Sequence, residues 1–257
     1  MAEQPTVLVT GAARRIGRFI ALAYARRGWH VAMHYRTDGD EVGKTAQEIE
    51  QAGGSATPIQ ADLEERYGVQ SLIEAMEGVA SWQSLVNSAA IFERDRTESL
   101  TDESWDRHQA INLFAPTKLS QAFAAQVSNQ ANEQANNLIV NIIDSKMHRP
   151  NQHFISYSAS KASLWYLTQA MALDLAPSIR VNAIGPGPTL VAPGHTQEAF
   201  ERSVETLPLA RAPSEAEFDS AIGFMLEARS FTGQMLSLDG GAHLGWVPHG
   251  RAMKLPS

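Results

Sequence analysis

Two residues four apart, Tyr157 and Lys161 in Y-S-A-S-K, have the types and spacing for proton chemistry. A separation of four puts both side chains on one face of a helix. A phenol titrates near about 10 and is a poor acid–base catalyst at neutral pH; a neighbouring ammonium stabilises the phenolate and lowers that value. The same pair also reads as a surface cation beside an aromatic ring, and the spacing alone leaves both readings open. A second stretch points to phosphate. In T-G-A-A-R-R-I-G, residues 10–17, Gly11 and Gly17 bracket a turn between an apolar run and a helical pattern. Such a turn aims backbone N–H groups and a helix N-terminus at a pyrophosphate. Arg15 stands where a middle glycine is expected, and the turn taken alone also reads as an ordinary strand–helix connection.

These groups need elements to carry them. Short β-branched or aliphatic runs predict strands over 6–10, 30–35, 56–60, 84–87, 138–143, 179–183 and 234–238. Amphipathic stretches between them, among them 18–27, 40–52, 101–126, 157–176 and 214–228, predict helices. Strands of this length alternating with helices read as repeated βαβ units, hence an α/β chain with a parallel sheet of about seven strands. The near-continuous apolar run L-I-V-N-I-I suits a strand covered on both faces. No linker, charge block or repeat divides the chain, so residues 1–257 read as one domain. The polar segment 127–137 reads as a loop at a helix end. The Pro/Gly-rich stretch G-P-G-P-T-L-V-A-P-G, residues 185–194, follows a strand and precedes a short helical pattern over 197–206. Ligands of open parallel sheets sit beyond the carboxyl ends of the strands, which makes 188–206 an expected substrate lid.

The second strand ends H-Y-R-T, residues 34–37. An acidic residue there takes the adenine ribose hydroxyl, whereas a basic one favours a 2′-phosphate. Arg36, with Thr37 as a hydroxyl donor, therefore argues for NADPH over NADH. A solvated loop arginine is the plainer reading, and Asp38 keeps NADH open.

Composition narrows the field. Hydrophobic residues make up 44% of the 257 and charged residues 19%, as in a folded globular chain. A net charge of −7 argues against a nucleic-acid surface, which needs clustered Lys and Arg. With no cysteine, disulfides, thiolate metal sites and Cys nucleophiles are excluded. No apolar run approaches the roughly 20 residues of a membrane span, and the first residues lack a signal peptide's basic n-region. The expectation is a cytoplasmic protein without membrane contact. His34, His148, His153 and His195 show no metal-like spacing, so no metal is expected.

Thr10-Gly11…Gly17, Asn87-Ser88-Ala89, Asn112, Tyr157…Lys161 and Pro186-Gly187, in this order, resemble the short-chain dehydrogenase/reductase family across essentially the whole chain. The resemblance implies one doubly wound Rossmann-type domain with helices on both faces, a nicotinamide cofactor and hydride transfer. By the same resemblance Tyr157 is the proton donor, and Lys161 holds the nicotinamide ribose and lowers the pKa of Tyr157. Asn112 anchors a water of the proton relay, Asp62 with Leu63 covers the adenine, and Asn87, Ser88 and Ala89 support the cofactor behind the fourth strand. Gly11, Arg14, Arg15, Ile16, Gly17, Tyr35, Arg36, Thr37, Pro186 and Gly187 complete the implied cofactor site. Homodimers or homotetramers through the helices around 105–126 and 157–176 are implied as well. Asp239-Gly240-Gly241 is implied to be structural. His243, Trp246 and His249 read as tail packing or as the border of a neighbouring subunit's site.

One position departs from the family. Its catalytic serine, thirteen residues before the tyrosine, is replaced by Asp144, with Ser145 out of register by one. Alternation along a strand points the two side chains to opposite faces, though a bent strand end would bring Ser145 back. An ionised carboxylate cannot donate to a ketone oxygen; it can accept from a ring N–H or an exocyclic amino group. Asp144, together with T-G-A-A-R-R-I-G, resembles the pteridine reductase and dihydromonapterin reductase-like branch. That likeness implies a pterin-like substrate, with Phe92 stacking on the bicycle, Arg15 reaching the pterin or a cofactor phosphate, and Asp144 binding polar ring edges. Phe92 also reads as a wall of a generic apolar pocket. The alternatives are a carbonyl or alcohol oxidoreductase of the same family and a catalytically silent nucleotide-binding subunit.

Overall fold

A computed structural model describes residues 4–37, 39–79, 81–128, 136–148, 152–192 and 194–245. Seven strands, β1 (Thr6–Val9), β2 (His30–Tyr35), β3 (Ser55–Gln60), β4 (Trp82–Asn87), β5 (Asn137–Ile142), β6 (Ile179–Pro186) and β7 (Met235–Leu238), form one parallel sheet in the order β3-β2-β1-β4-β5-β6-β7. The helices are α1 (Arg15–Ala25), α2 (Asp40–Gln51), α3 (Arg66–Met76), α4 (Asp102–Gln109), α5 (Ala115–Ser128), α6 (Ile155–Asp174), α7 (Gln197–Glu205) and α8 (Glu215–Glu227). All strands run the same way and the order reverses at β1. A crevice therefore opens between β1 and β4, where the crossovers leave in opposite directions.

The period of two along each strand divides the core. Val7 and Val9 pack with Ile20, Tyr24 and Phe218 under α1, α2 and α8, while Leu8 packs with Leu72, Trp82, Leu119 and Phe123 under α3, α5 and α6. The sheet is thus sandwiched between two apolar layers, as a run like L-I-V-N-I-I demands. The ring of Trp82 meets Phe123 at 4.9 Å and anchors the second layer. Among the described residues no helix is long and apolar enough to cross a membrane.

The expected elements are present with shifted ends. The helix expected over 18–27 begins at Arg15, because the turn is tighter than its residue types suggest. β6 runs on through Gly185 and Pro186, held by β7, so the strand expected over 179–183 is longer. α3 is an additional helix. The helix expected over 101–126 is instead three pieces: α4, a π turn at Ala110–Phe114, and α5. Pro116 has no N–H to give the Asn112 carbonyl four residues back, so regular α-helical bonding stops there. The Ala115 N–H instead reaches Ala110. That bulge sits over α6 and turns Asn112 inward. The segment 127–137 lies mostly outside the described residues; α5 reaches into it as far as Ser128 and β5 begins at Asn137.

Candidate active site

The glycine turn is built by close approach. A Cβ on Gly17 would stand 2.1 Å from the Gly11 carbonyl oxygen, and Gly11 itself has φ +66°, so both positions exclude larger residues. Arg14 precedes α1 without a capping bond from its side chain, leaving the first-turn N–H groups of Arg15, Ile16 and Gly17 directed at the crevice. Two buried side chains lock this turn to the sheet. The Thr10 hydroxyl accepts from Ser88 N at 2.9 Å and Ala89 N at 3.0 Å, joining β1 to the loop after β4. Gly11 N donates to His34 Nδ1 at 3.0 Å, and His34 Nε2 meets the Ala61 carbonyl at 3.1 Å. A carbonyl only accepts, so Nε2 carries the hydrogen and Nδ1 the lone pair. Burial pushes this imidazole down to about 4, against the opposing pull of the Ala61 bond and Asp62.

The other expected cofactor residues line the same edge. Tyr35 is half-buried at the end of β2, while Arg36 and Thr37 are exposed just beyond it. The Arg36 carbonyl accepts from Gln60 Nε2 at 3.0 Å, which ties the chain leaving β2 to the end of β3. Asp38 lies outside the described residues. Asp62 follows β3 and accepts from Glu64 N at 3.0 Å, with Leu63 buried next to it. Asn87 is buried at the end of β4, its amide donating to Asn141 Oδ1 at 2.8 Å. Its own Oδ1 lacks a partner among the described residues, a buried acceptor at the crevice floor. Pro186 and Gly187 close the far side, Gly187 N donating to Leu238 O at 2.8 Å.

The residues expected to transfer the proton converge beyond β5. Tyr157 and Lys161 lie on one face of α6, and both are buried. The Tyr157 hydroxyl donates to Asp144 Oδ2 at 3.0 Å, while Asp144 Oδ1 accepts from Lys146 N at 2.8 Å. Asp144, and not Ser145, therefore faces the tyrosine; Ser145 opens a single 3-10 turn and is 1% exposed. Burial and then the Asp144 charge hold the Tyr157 phenol well above its ordinary value. Lys161 Nζ donates to the Ile142 carbonyl at 2.7 Å and stands 6.0 Å from the Tyr157 ring centre. Burial brings its ammonium down to about 8, with Asp144 opposing. In the protein alone the phenol is raised, not lowered, because it is buried, its nearest charge is a carboxylate, and the ammonium is tied to a backbone carbonyl.

Asn112 spends its whole side-chain amide on structure. Its Nδ2 donates to Ile91 O and Ser160 Oγ, both at 3.1 Å, and its Oδ1 accepts from Ile91 N at 3.0 Å. It clamps the chain after β4 to α6. Phe92 follows directly, 38% exposed, and stacks on Phe154 with ring centres 4.2 Å apart and planes 12° from parallel. Its ring meets Tyr157 edge-on at 4.7 Å. Arg15 reaches the segment after β6. With φ +55°, it sends Nη1 to the Val191 carbonyl at 2.8 Å and Nη2 to the Leu190 carbonyl at 3.5 Å. The structure thus gathers Asp144, Phe92 and Tyr157, and attaches Arg15 to the segment after β6.

His34 and Phe154 carry weight that their residue types do not announce, as does Thr10 in its role as an anchor. Phe154 lies three residues before Tyr157, but nothing local signals that its ring meets Phe92. His243 bonds back to Asp239 within its own loop, while Trp246 and His249 lie outside the described residues. Among the described residues, no group of three or more His, Asp or Glu could hold a metal ion.

The His34 geometry has a pH consequence. Unfolded, this histidine binds a proton below about 6.5; folded, it resists until about 4. Between those values the unfolded state holds more protons, so stability falls as pH falls, by up to about 1.4 kcal/mol per pH unit. Thermal melts from pH 7 to pH 4 should show a shallower loss in His34→Phe than in the wild type. Equal slopes would remove His34 as the titrating group.

The same architecture occurs in known proteins. The family described as short chain dehydrogenase matches residues 5–202. The FolM alternative dihydrofolate reductase 1 of Brucella canis, solved in complex with NADP, is 42% identical and superposes with a TM-score of 0.87, covering 96% of this chain and 97% of that one. The dihydromonapterin reductase of Klebsiella pneumoniae is 28% identical over 95% of this chain and 100% of its own length. The 3beta-hydroxysteroid dehydrogenase 1 of Eggerthella lenta is 30% identical over 93% and 94% respectively. With this fold, this order of motifs and these relatives, the chain belongs to the short chain dehydrogenase family and is an oxidoreductase of it.

Proposed function

We propose that the protein is an NADPH-dependent reductase of a pterin-like ring, acting on a C=N bond of a dihydropteridine or dihydrofolate-type substrate. The observation that carries this reading is the Asp144 carboxylate, hydrogen-bonded to Tyr157 beside the part-exposed ring of Phe92, which stacks on Phe154. A ketone offers only an acceptor oxygen, which a carboxylate repels. A pterin offers N–H and amino donors on a flat edge, which a carboxylate accepts, and a ring face that Phe92 can stack on. The likeness to proteins named dihydromonapterin reductase and alternative dihydrofolate reductase supports the same reading.

The residues present fit the dinucleotide. Gly11 and Gly17 leave the backbone bare where a Cβ would intrude, α1 offers uncapped N–H groups, and Asn87 keeps a buried acceptor at the crevice floor. Arg14 and Arg36, both exposed beyond the ends of neighbouring strands, supply the charge for a 2′-phosphate. Asp62 and Leu63 would border the adenine, Ser88 and Ala89, held by Thr10, would support the nicotinamide half, and Lys161 would hold its ribose. Bound NADPH supplies the hydride.

The chain's own residues do the rest. Tyr157 starts protonated, as its raised pKa requires of a donor, and gives its hydroxyl proton to the ring nitrogen beside the reduced carbon. Asp144 orients the substrate's donor edge. Lys161 stabilises by charge the phenolate left behind. The Asn112 carbonyl, which Pro116 cannot bond, is an acceptor for a relay water. Arg15, in this reading, holds the lid of residues 188–206 over the site through Leu190 and Val191. Trp105, Tyr166 and Leu173, exposed on α4 and α6, support assembly into dimers or tetramers through those helices.

A panel of pterins and simple ketones assayed with NADPH tests the substrate. Turnover of dihydrobiopterin, dihydromonapterin or dihydrofolate, with inhibition by methotrexate, is expected; turnover of ketones alone would overturn the pterin reading in favour of a carbonyl oxidoreductase. Tyr157→Phe should lose at least about 100-fold in kcat and keep its NADPH affinity. Arg36→Asp should move preference toward NADH by about tenfold or more, and an unchanged preference would take the 2′-phosphate from Arg36.

A further inference from the structure

The carboxylate of Asp95 has no place in the chemistry above, yet it is only 3% exposed and lies in the loop after β4, three residues beyond Phe92. Among the described residues its hydrogen bonds all run to the start of α6, the helix that carries Tyr157. Oδ1 accepts from the backbone N–H of Ile155, Oδ2 accepts from Ser156 N at 3.2 Å and from the Ser156 hydroxyl, and the backbone carbonyl accepts from Phe154 N at 2.9 Å. The Ile155 and Ser156 groups belong to the first turn, which a helix leaves unpaired, and the residue before α6, Phe154, supplies no side-chain cap. Phe154 has φ +62°, a left-handed conformation that bulky residues adopt only when their surroundings impose it. The Asp95 bonds on one side and the Phe92 stack on the other hold it there.

A second layer fixes the carboxylate's partner. His108, fully buried on α4, has Nδ1 2.7 Å from the Ser104 carbonyl and 2.9 Å from the Ser156 hydroxyl, and its Nε2 accepts from Glu93 N at 3.3 Å. The Ser104 carbonyl can only accept, so Nδ1 carries the hydrogen, the Ser156 oxygen receives part of it, and the hydroxyl proton points at Asp95. Tyr157 is the next residue along.

We propose that Asp95 is a positioning residue that caps α6 from outside the helix, and so sets Tyr157 against Asp144 and in step with Phe92. The loop that carries Phe92 and the helix turn that carries Tyr157 then move as one body. This rests on Tyr157 being the proton donor. A shift of about 1 Å in a reacting group costs up to about 100-fold in rate, so a lost cap is felt in kcat before it is felt in cofactor binding.

The test compares Asp95→Ala, Asp95→Asn, Ser156→Ala and Tyr157→Phe in the full chain, with NADPH and 7,8-dihydrobiopterin as probes. Asp95→Ala should lose about tenfold or more in kcat, with KM for NADPH within about twofold of the wild type. Asp95→Asn keeps one acceptor oxygen, which at the Oδ1 position can take both N–H groups but leaves the Ser156 hydroxyl facing an amide NH2, and should recover part of the loss, with kcat clearly above that of Asp95→Ala. Amide exchange at Ile155 and Ser156, read without substrate, should quicken in Asp95→Ala and stay slow in Asp95→Asn. Wild-type kcat in Asp95→Ala, an Asn variant as slow as the Ala variant, or unchanged amide exchange would each overturn the proposal. If Asp95→Ala does not fold, Ser156→Ala decides by the same exchange and kcat. Full turnover in Tyr157→Phe would instead sink the reading of Tyr157 as donor, and a wild type inactive on the pterin would sink the substrate, leaving amide exchange to judge Asp95.

Discussion

The hydrogen bond from the Tyr157 hydroxyl to Asp144 is the contact on which the site depends. It joins the end of β5 to the first turn of α6 and is sheltered from water on most sides. Burial, and the carboxylate beside it, keep the phenol protonated, the state a proton donor must start from. Asp144 also puts an acceptor where the family has a hydroxyl donor, so the group beside Tyr157 can accept a hydrogen bond but, while ionised, not give one. Lys161, buried and bonded to Ile142, supplies the balancing charge without competing for the phenol's proton.

The nucleotide half of the crevice depends on close packing of backbone. Gly11 and Gly17 permit a turn too tight for side chains, and that turn would be loose if it were held by its own chain alone. Thr10 and His34 bind it to the ends of β4, β2 and β3, so four strand ends share one hydrogen-bonded rim. Both residues act through single, defined roles: a hydroxyl accepting two N–H groups, and a neutral imidazole in one tautomer. Burial enforces the second, since a charged ring there would be both desolvated and unable to accept from Gly11.

The alternation of strand and helix is legible because a parallel sheet needs apolar runs of a recognisable length, and the glycine turn because only glycine fits such a backbone. The break of the long helix at Asn112 is not legible in the same way, although Pro116 stands in the sequence, because the amphipathic pattern continues across it. The pairing of Asp144 with Tyr157 is readable as a register, thirteen residues apart. That register puts Ser145 out by one, and the turn after β5 leaves it buried instead of bringing it back. Nothing local to Arg15 signals that its guanidinium meets the carbonyls of Leu190 and Val191, 175 and 176 residues away in the chain.

Fold class, the succession of strands and helices, and the nomination of Tyr157 and Lys161 as a pair all follow from residue type and local period, so the amino-acid order suffices for them. Which groups meet is a matter for the tertiary structure: Asp144 with Tyr157, Phe92 with Phe154, Asp95 with the start of α6, and Arg15 with the segment after β6. Those contacts join residues separated in the chain, and their geometry is set by how the strand ends, the π turn and the helix ends pack together. Local propensity carries no record of that packing.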